Sequence, residues 1–352
     1  MIEAGWGTWP TLSVGAEEEL MILDAETLDQ VGEVEKIVSA VQERELPGVV
    51  KTELFASVCE LATEPCADAE QAGAALGALR EAAREAAAAH GLAVAAAGSH
   101  PFAEPEAQPV VQEPRYTDFV DYAGVSARRQ GVQGLHVHVA MPGADECYGV
   151  LETILPWLPL VLALSANSPY LAGRATGMAS NRALVLAELP RSGAPPAFGS
   201  YQGWEDWVER LVRIGVTADY TRIWWDVRPH PRLGTLEIRM PDQPTSLARS
   251  TAFVALIREL CRWALECEPR TADRGDYAQN RWAASRFGPR AELIHPDGDR
   301  AVHVRELWAE LRELLADEPL LDALDPSTCE GDLQLALDPH AAAADLVTRT
   351  FA

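Results

Sequence analysis

Glu17-Glu18-Glu19 interrupts an otherwise apolar, β-prone run from Leu12 to Leu23. Side chains alternate faces along a strand, so Glu17 and Glu19 point one way and Glu18 the other. Two like carboxylates on one face of a sheet repel each other. They are tolerable on a charged edge strand facing solvent, or where a positive group such as a divalent cation lies between them.

The rest of the chain reads as strands and helices in mixed order. Strands are expected over 12–23, 57–63, 92–98, 135–141, 223–227 and 234–240. Helices are expected over 34–44, 68–90, 116–130, 146–166, 180–186, 203–215, 245–266, 303–316 and 339–351. The clearest helix, 68–90, is rich in Ala, Glu, Leu and Arg, opens near Asp68 and stops at Gly91. Residues 1–10 read as a loose extension, 99–115, 167–179 and 190–200 as loops, and 269–300 as mostly loop. No strict βαβ alternation, repeat or long linker is visible. The expectation is one α+β domain over 1–352, with an antiparallel sheet and a helical C-terminal part from 303 to 352.

Three further segments repeat the one-sided pattern of the first strand: His136/His138, Glu237/Arg239 and Trp224/Asp226/Arg228. In each, apolar residues fill one face and ionisable groups the other. A solvent face would use Lys, Thr and Ser more freely, yet Lys36 and Lys51 are the only lysines. Glu, His and Arg together on one face therefore read as an active-site floor. Carboxylate-rich ligands without a nearby Cys favour Mg²⁺ or Mn²⁺ over zinc. Glu60 lies among apolar residues, a costly placement unless paired. Glu53 and Glu60 are seven residues apart, so they share a face only if a turn or bulge intervenes. Arg174, Arg182, Arg228 and Arg239 are candidate anion binders, because the guanidinium fork suits phosphate and carboxylate.

Composition narrows the partners. The chain has 352 residues, 48% of them hydrophobic, with a net charge of −24. Such an acidic chain is a poor non-specific partner for nucleic acid or anionic membrane. Its six cysteines form no CxxC pair, which suits reduced thiols in the cytoplasm. The first residues lack the basic and apolar regions of a signal peptide. The apolar stretch Ile154 to Ala166 carries Pro156 and Pro159 and reads as a buried helix too short to span a bilayer.

Taken in order, several motifs resemble the glutamate–cysteine ligase type 2 family of carboxylate–amine ligases, relatives of glutamine synthetase in fold. They are Val14-Gly15-Ala16-Glu17-Glu18-Glu19, Lys51-Thr52-Glu53-Leu54, Cys59-Glu60-Leu61-Ala62-Thr63, and Gly134-Leu135-His136-Val137-His138-Val139. Ala166-Asn167-Ser168-Pro169 with Gly173-Arg174, Gly234-Thr235-Leu236-Glu237-Ile238-Arg239, and Asn280-Arg281-Trp282 complete the set. The resemblance implies an antiparallel sheet curved into a funnel, with helices on its outer face. It implies ATP, glutamate or a similar carboxylate, and an amine acceptor as substrates. Glu17, Glu19, Glu53, Glu60, His136 and Glu237 fall on the family's metal-ligand positions, and Arg239 where the family places an arginine close to the transferred phosphate. Arg239 and Glu53 are thus the candidate catalytic residues. His138, Asn167, Arg174, Arg182 and Arg228 are candidates for nucleotide or substrate contact. The implied reaction forms an amide, γ-glutamyl in type, through an acyl phosphate, with weak glutamate–cysteine ligase activity within its scope. The acceptor stays open among cysteine, another amino acid, a specialised metabolite or a carrier protein, and a homo-oligomer is compatible with the sequence. A metal-dependent phosphotransferase or ATP hydrolase, or a non-catalytic binding relative, are the alternatives.

Overall fold

The structure, a computed structural model, describes residues 4–352. Seven strands form one antiparallel sheet: β1 (Val14–Asp24), β2 (Gly48–Thr52), β3 (Val58–Thr63), β4 (Leu92–Ala95), β5 (Leu135–Ala140), β6 (Val227–His230) and β7 (Thr235–Ile238). Their order is β6-β7-β5-β1-β3-β2, and β4 pairs the far end of β1. The sheet stays open, with β6 and β2 at its edges. β1 is central because its 11 residues reach three partners: Val14–Glu18 pairs β5, Glu17–Met21 pairs β3, and Met21–Asp24 pairs β4.

Alternation sorts the core from the site. Ala16, Val137, Val139, Leu236 and Ile238 are buried in one cluster with Phe253, Leu256 and Leu260 of the helix Leu247–Leu265. Leu20, Ile22 and Leu61 pack with Leu79 and Ala83 of the helix Ala69–Ala88. Both helices lie against the sheet and against each other, and the alanines of the first keep that contact close. Asp68 caps it by accepting the Gln71 N–H at 2.8 Å, which satisfies one of its free amide donors.

Glu18 is fully buried on this helix-facing side. Arg80, itself 1% exposed, donates Nε and Nη2 to the two Glu18 oxygens at 2.7 Å each. The remaining Arg80 donors reach the carbonyls of Pro244, Thr245 and Thr350, so the chain's last helix is tied to the back of β1.

Several elements differ from the expectations. Residues 4–10 are not loose: Gly5 donates its N–H to the Pro231 carbonyl at 2.8 Å, and Trp6 packs edge-on against Tyr201. Residues 1–3 of that extension lie outside the described residues. The helix expected over 116–130 breaks at Gly124, whose φ of 59° a side chain disfavours, into Pro114–Ala123 and Val125–Arg128. The expected loop 269–300 contains a 14-residue helix, Arg274–Phe287, capped by Asp273, and a short strand, Glu292–Ile294, that pairs with Ala301–His303 just beyond it. The strand expected over 223–227 instead runs on through Arg228, Pro229 and His230, which belong to β6. The helical run containing the apolar stretch, expected over 146–166, spans 22 residues over Ala144–Ser165. By length and composition it matches a membrane span, but 83% of its most apolar stretch is buried inside the fold.

Candidate active site

The strand register lines the ionisable groups up across the face opposite the two helices. Lys51 of β2 lies opposite Glu60 of β3, which lies opposite Glu19 of β1. Glu17 of β1 lies opposite His136 of β5. His138 of β5 lies opposite Glu237 of β7, which lies opposite Arg228 of β6. Six strands thus contribute to one charged row, and the edge-strand alternative for Glu17 and Glu19 fails because β1 is central. The row is bound by local pairs. Lys51 Nζ is 2.9 Å from Glu60, and His136 Nδ1 is 3.2 Å from Glu17. Arg228 donates Nε to Glu237 at 2.6 Å, and Arg239 Nη1 also donates to Glu237.

Glu53 reaches the same region because β2 ends at Thr52 and β3 begins at Val58. The intervening turn supplies the break in alternation that a spacing of seven requires. The Tyr116 hydroxyl lies 3.4 Å from Glu53 and donates to the Thr52 carbonyl at 2.8 Å.

The carboxylates divide electrostatically. Burial pushes the Glu19 carboxyl up to about 7; Glu60 adds to this, and Arg182 partly offsets it. Burial also raises Glu53, helped by Glu19, and raises Glu60 well above its ordinary range, helped by Glu17 and Glu53. Burial opposes ionisation of Glu17 and Glu237 as well, but their neighbours win. The His136 hydrogen bond and nearby positive charge hold Glu17 low, and Arg228 and Arg239 hold Glu237 well below the carboxylate range. Burial, then Arg239, depresses His136 to about 4. The imidazole is therefore neutral at pH 7, and if Nδ1 donates to Glu17 the Nε2 lone pair stays free.

This donor set fits a hard divalent cation in chemistry: oxygen ligands, one neutral imidazole, and three buried carboxyls whose ionisation a cation would favour. It is not a preformed cage. Among the described residues, no three His, Cys, Asp or Glu side chains converge closely enough to enclose one ion. Glu60, Glu17 and Glu237 are turned instead toward Lys51, His136 and the pair Arg228 and Arg239, and Glu19 toward the Gly134 N–H.

A cavity at the row is lined by Glu19, Glu53, His136, Arg182 and Arg239 together with Leu54, Phe55, Phe119 and Trp224. Phe119 and Trp224 stack at 5.1 Å. A larger cavity, bordered by Trp157, Trp263 and His295, is lined by none of the row residues.

The expected contact residues separate. His138 faces the row, with Nδ1 3.0 Å from the Thr235 hydroxyl. Arg182 lines the cavity, but its two terminal nitrogens donate to the Met240 and Arg239 carbonyls at 3.1 and 3.0 Å. Arg228 is buried, and its fork is used by Glu237 and by the Thr221 and Ile223 carbonyls. Asn167 corrects the expectation of a ligand contact. It is fully buried; its side-chain nitrogen donates to the Gln243 carbonyl and the Thr245 hydroxyl, and its side-chain oxygen accepts from Gln334. Arg174 is exposed in a small hairpin, Tyr170–Leu171 with Arg174–Ala175, and does not line the cavity. Asp226 breaks the fourth expected row, since it turns to Tyr277 and Arg281 at 2.7 Å each.

Sequence reasoning gave Lys51 and Gly134 no role of their own, missed Phe119, and named Trp224 only as part of its strand. Lys51 had a signal: it is one of two lysines and stands two residues from Glu53.

A model of the glutamate-cysteine ligase family 2 matches residues 13–329. The chain belongs to that family. It is therefore related to ATP-dependent ligases that join carbon to nitrogen, and is one of them. A Rubrobacter xylanophilus member, provisionally named glutamate–cysteine ligase 2-3, is 42% identical over 88% of this chain and 85% of its own length. The Haloferax volcanii glutamate–cysteine ligase is 37% identical over 89% of each. Among solved structures, a bifunctional glutathione synthetase from Pasteurella multocida superposes with a TM-score of 0.71 at 16% identity, over 97% of this chain and 53% of that one. A Francisella tularensis glutamate–cysteine ligase in complex with AMP gives 0.68 at 14% identity, over 97% and 90%. At these identities the structural likeness is one of fold.

Proposed function

We propose that this family member joins glutamate, or a closely similar carboxylate, to an amine with cleavage of ATP, forming a γ-glutamyl-type amide. The observation that carries this reading is the six-strand row of Glu, His and Arg with Arg239 at the cavity. We assign the whole chain to one catalytic domain in the cytoplasm, where its six free cysteines stay reduced.

A carboxylate does not react with amines at neutral pH. Its oxygen therefore attacks the γ-phosphorus of ATP; the new O–P bond forms as the bond to ADP breaks. The amine nitrogen then attacks the acyl carbon, phosphate leaves with the C–O electron pair, and the nitrogen loses a proton. Arg239, held by Glu237, neutralises charge on the transferred phosphoryl group. Glu53, which lines the cavity beside the Tyr116 hydroxyl, takes the proton from the amine. Phe119, Trp224, Leu54 and Phe55 exclude water from the acyl phosphate. Glu17, Glu19, Glu53, Glu60, His136 and Glu237 would hold Mg²⁺ or Mn²⁺, whose charge when bound offsets that of the ATP phosphates. His138, at the Glu237 end of the row, is assigned to substrate contact. The test is glutamate-dependent ADP release across a panel of amines. Release that needs both glutamate and an amine supports the reading; release indifferent to both removes it.

A further inference from the structure

Gly134, Arg182 and Arg239 form a contact chain that ends on two residues of the proposed machinery. Gly134 precedes β5 and donates its N–H to Glu19 Oε2 at 2.8 Å. The guanidinium of Arg182 lies across this glycine. A Cβ built on Gly134 would fall 2.0 Å from Arg182 Nη2 and 2.4 Å from its Cζ. Glycine is required here for space, because its φ is not in the left-handed region. The same guanidinium grips the main-chain carbonyls of Arg239 and Met240.

Arg182 is fixed from behind. It opens the short helix Arg182–Leu186, and its N–H donates to the Ser168 hydroxyl at 3.0 Å. Ser168 and Ser180 each donate to buried Asp242 at 2.7 Å, and the Asn167 N–H donates to it at 2.8 Å. Asp242 lies 4.0 Å from Arg182 Nη1. The arginine is 3% exposed, and a rigid polar network sets the position of its fork.

We infer that Arg182 is a positioning residue, whose guanidinium, packed flat on Gly134, sets both the main chain that carries Arg239 and the amide that orients Glu19. It acts through those two groups and binds neither ATP nor glutamate. The inference rests on the ligase reading. It explains why an arginine at the cavity spends its terminal donors on carbonyls. Displacement of a reacting group by about 1 Å can lower a rate about 100-fold while leaving substrate binding nearly intact.

The test uses glutamyl hydroxamate formation from ATP, glutamate and hydroxylamine, a small nucleophile that makes no demand on the acceptor pocket. Arg182→Lys, Gly134→Ala and the double variant are compared in kcat, in KM for ATP and glutamate, and in melting temperature. Each single variant is expected to lower kcat about 100-fold, with each KM within about threefold of the parent. The double variant is expected to be far better than the product of the singles, because lysine has no planar fork for the new Cβ to strike. A raised KM with kcat preserved overturns the inference and makes Arg182 a direct binder. Additive losses, or a lower melting temperature with unchanged kcat, overturn it in favour of a purely structural arginine. A parent enzyme that forms no hydroxamate fails the ligase reading itself, a result distinct from these.

Discussion

Arg80 meets Glu18 through two 2.7 Å hydrogen bonds on the side of β1 away from the charged row. Adjacent glutamates of one strand therefore do unrelated work. Glu18 is tied into the fold, while Glu17 and Glu19 lie on the charged row assigned to the proposed site. Removing one partner of a buried ion pair leaves the other charge uncompensated, at about 3–5 kcal/mol. Glu18→Ala is expected to lose about that much stability in urea unfolding. Glu17→Gln should keep near-parental stability and lose turnover. Comparing activity alone would confuse the two, so both measurements are needed.

Glu237 sits between two guanidiniums, Arg228 and Arg239. Alanine there would remove both the charge and the acceptor oxygens of two guanidiniums, whereas glutamine keeps one acceptor oxygen and the side chain's size, so glutamine is the informative substitution. Glu237→Gln keeps the shape and removes the charge that orients Arg239. ADP release should fall about 100-fold or more, with circular dichroism unchanged. Near-parental turnover would remove Glu237 and its pairing with Arg239 from the mechanism.

Cation binding should depend on pH with a defined sign. Burial holds the Glu19 carboxyl near 7, so protons compete with metal on its oxygens around neutrality, and burial shifts Glu53 and Glu60 in the same direction. His136 is depressed to about 4 and is already neutral there. Raising the pH from 6 to 8 should strengthen Mg²⁺ or Mn²⁺ binding about tenfold, from the Glu19 proton alone. Binding should also release protons. Titration calorimetry in buffers of different ionisation heat measures both effects. Chelation should abolish ADP release, and either ion should restore it.

Asn167 is expected to matter for stability and not for substrate. Its partners Gln243, Thr245 and Gln334 are all buried. Asn167→Ala should cost about 1–3 kcal/mol through the polar atoms left unpaired. KM for ATP and glutamate should be unchanged in the folded fraction, as denaturant titration and steady-state kinetics would show.

The site was legible where a period-two pattern carried it. His136/His138 and Glu237 alternate with valine, leucine or isoleucine, Glu17/Glu19 with Ala16, Glu18 and Leu20, and strand alternation puts each set on one face. Asn167 misled because its partners lie 76, 78 and 167 residues away, and no local pattern reports such contacts. Arg228 and Arg182 were open in the sequence for a related reason, and in the structure both donate to main-chain carbonyls. An arginine's type tells that it seeks oxygen, not whether the oxygen belongs to a ligand or to the main chain. The helix Arg274–Phe287 was hidden by its polar sequence and by Gly275 in its first turn. Asp226 looked aligned with Arg228 by parity, but its neighbours Tyr277 and Arg281 come from that unrecognised helix.

Transfer of oxygen from substrate to phosphate tests the central claim most directly. Glutamate labelled with ¹⁸O in its side-chain carboxylate would be turned over with ATP and an accepted amine or hydroxylamine, and the released phosphate analysed by mass. An acyl phosphate requires one labelled oxygen in the phosphate for each amide formed. Unlabelled phosphate, with ADP still released, would mean that water attacks the γ-phosphorus and that the carboxylate is never activated.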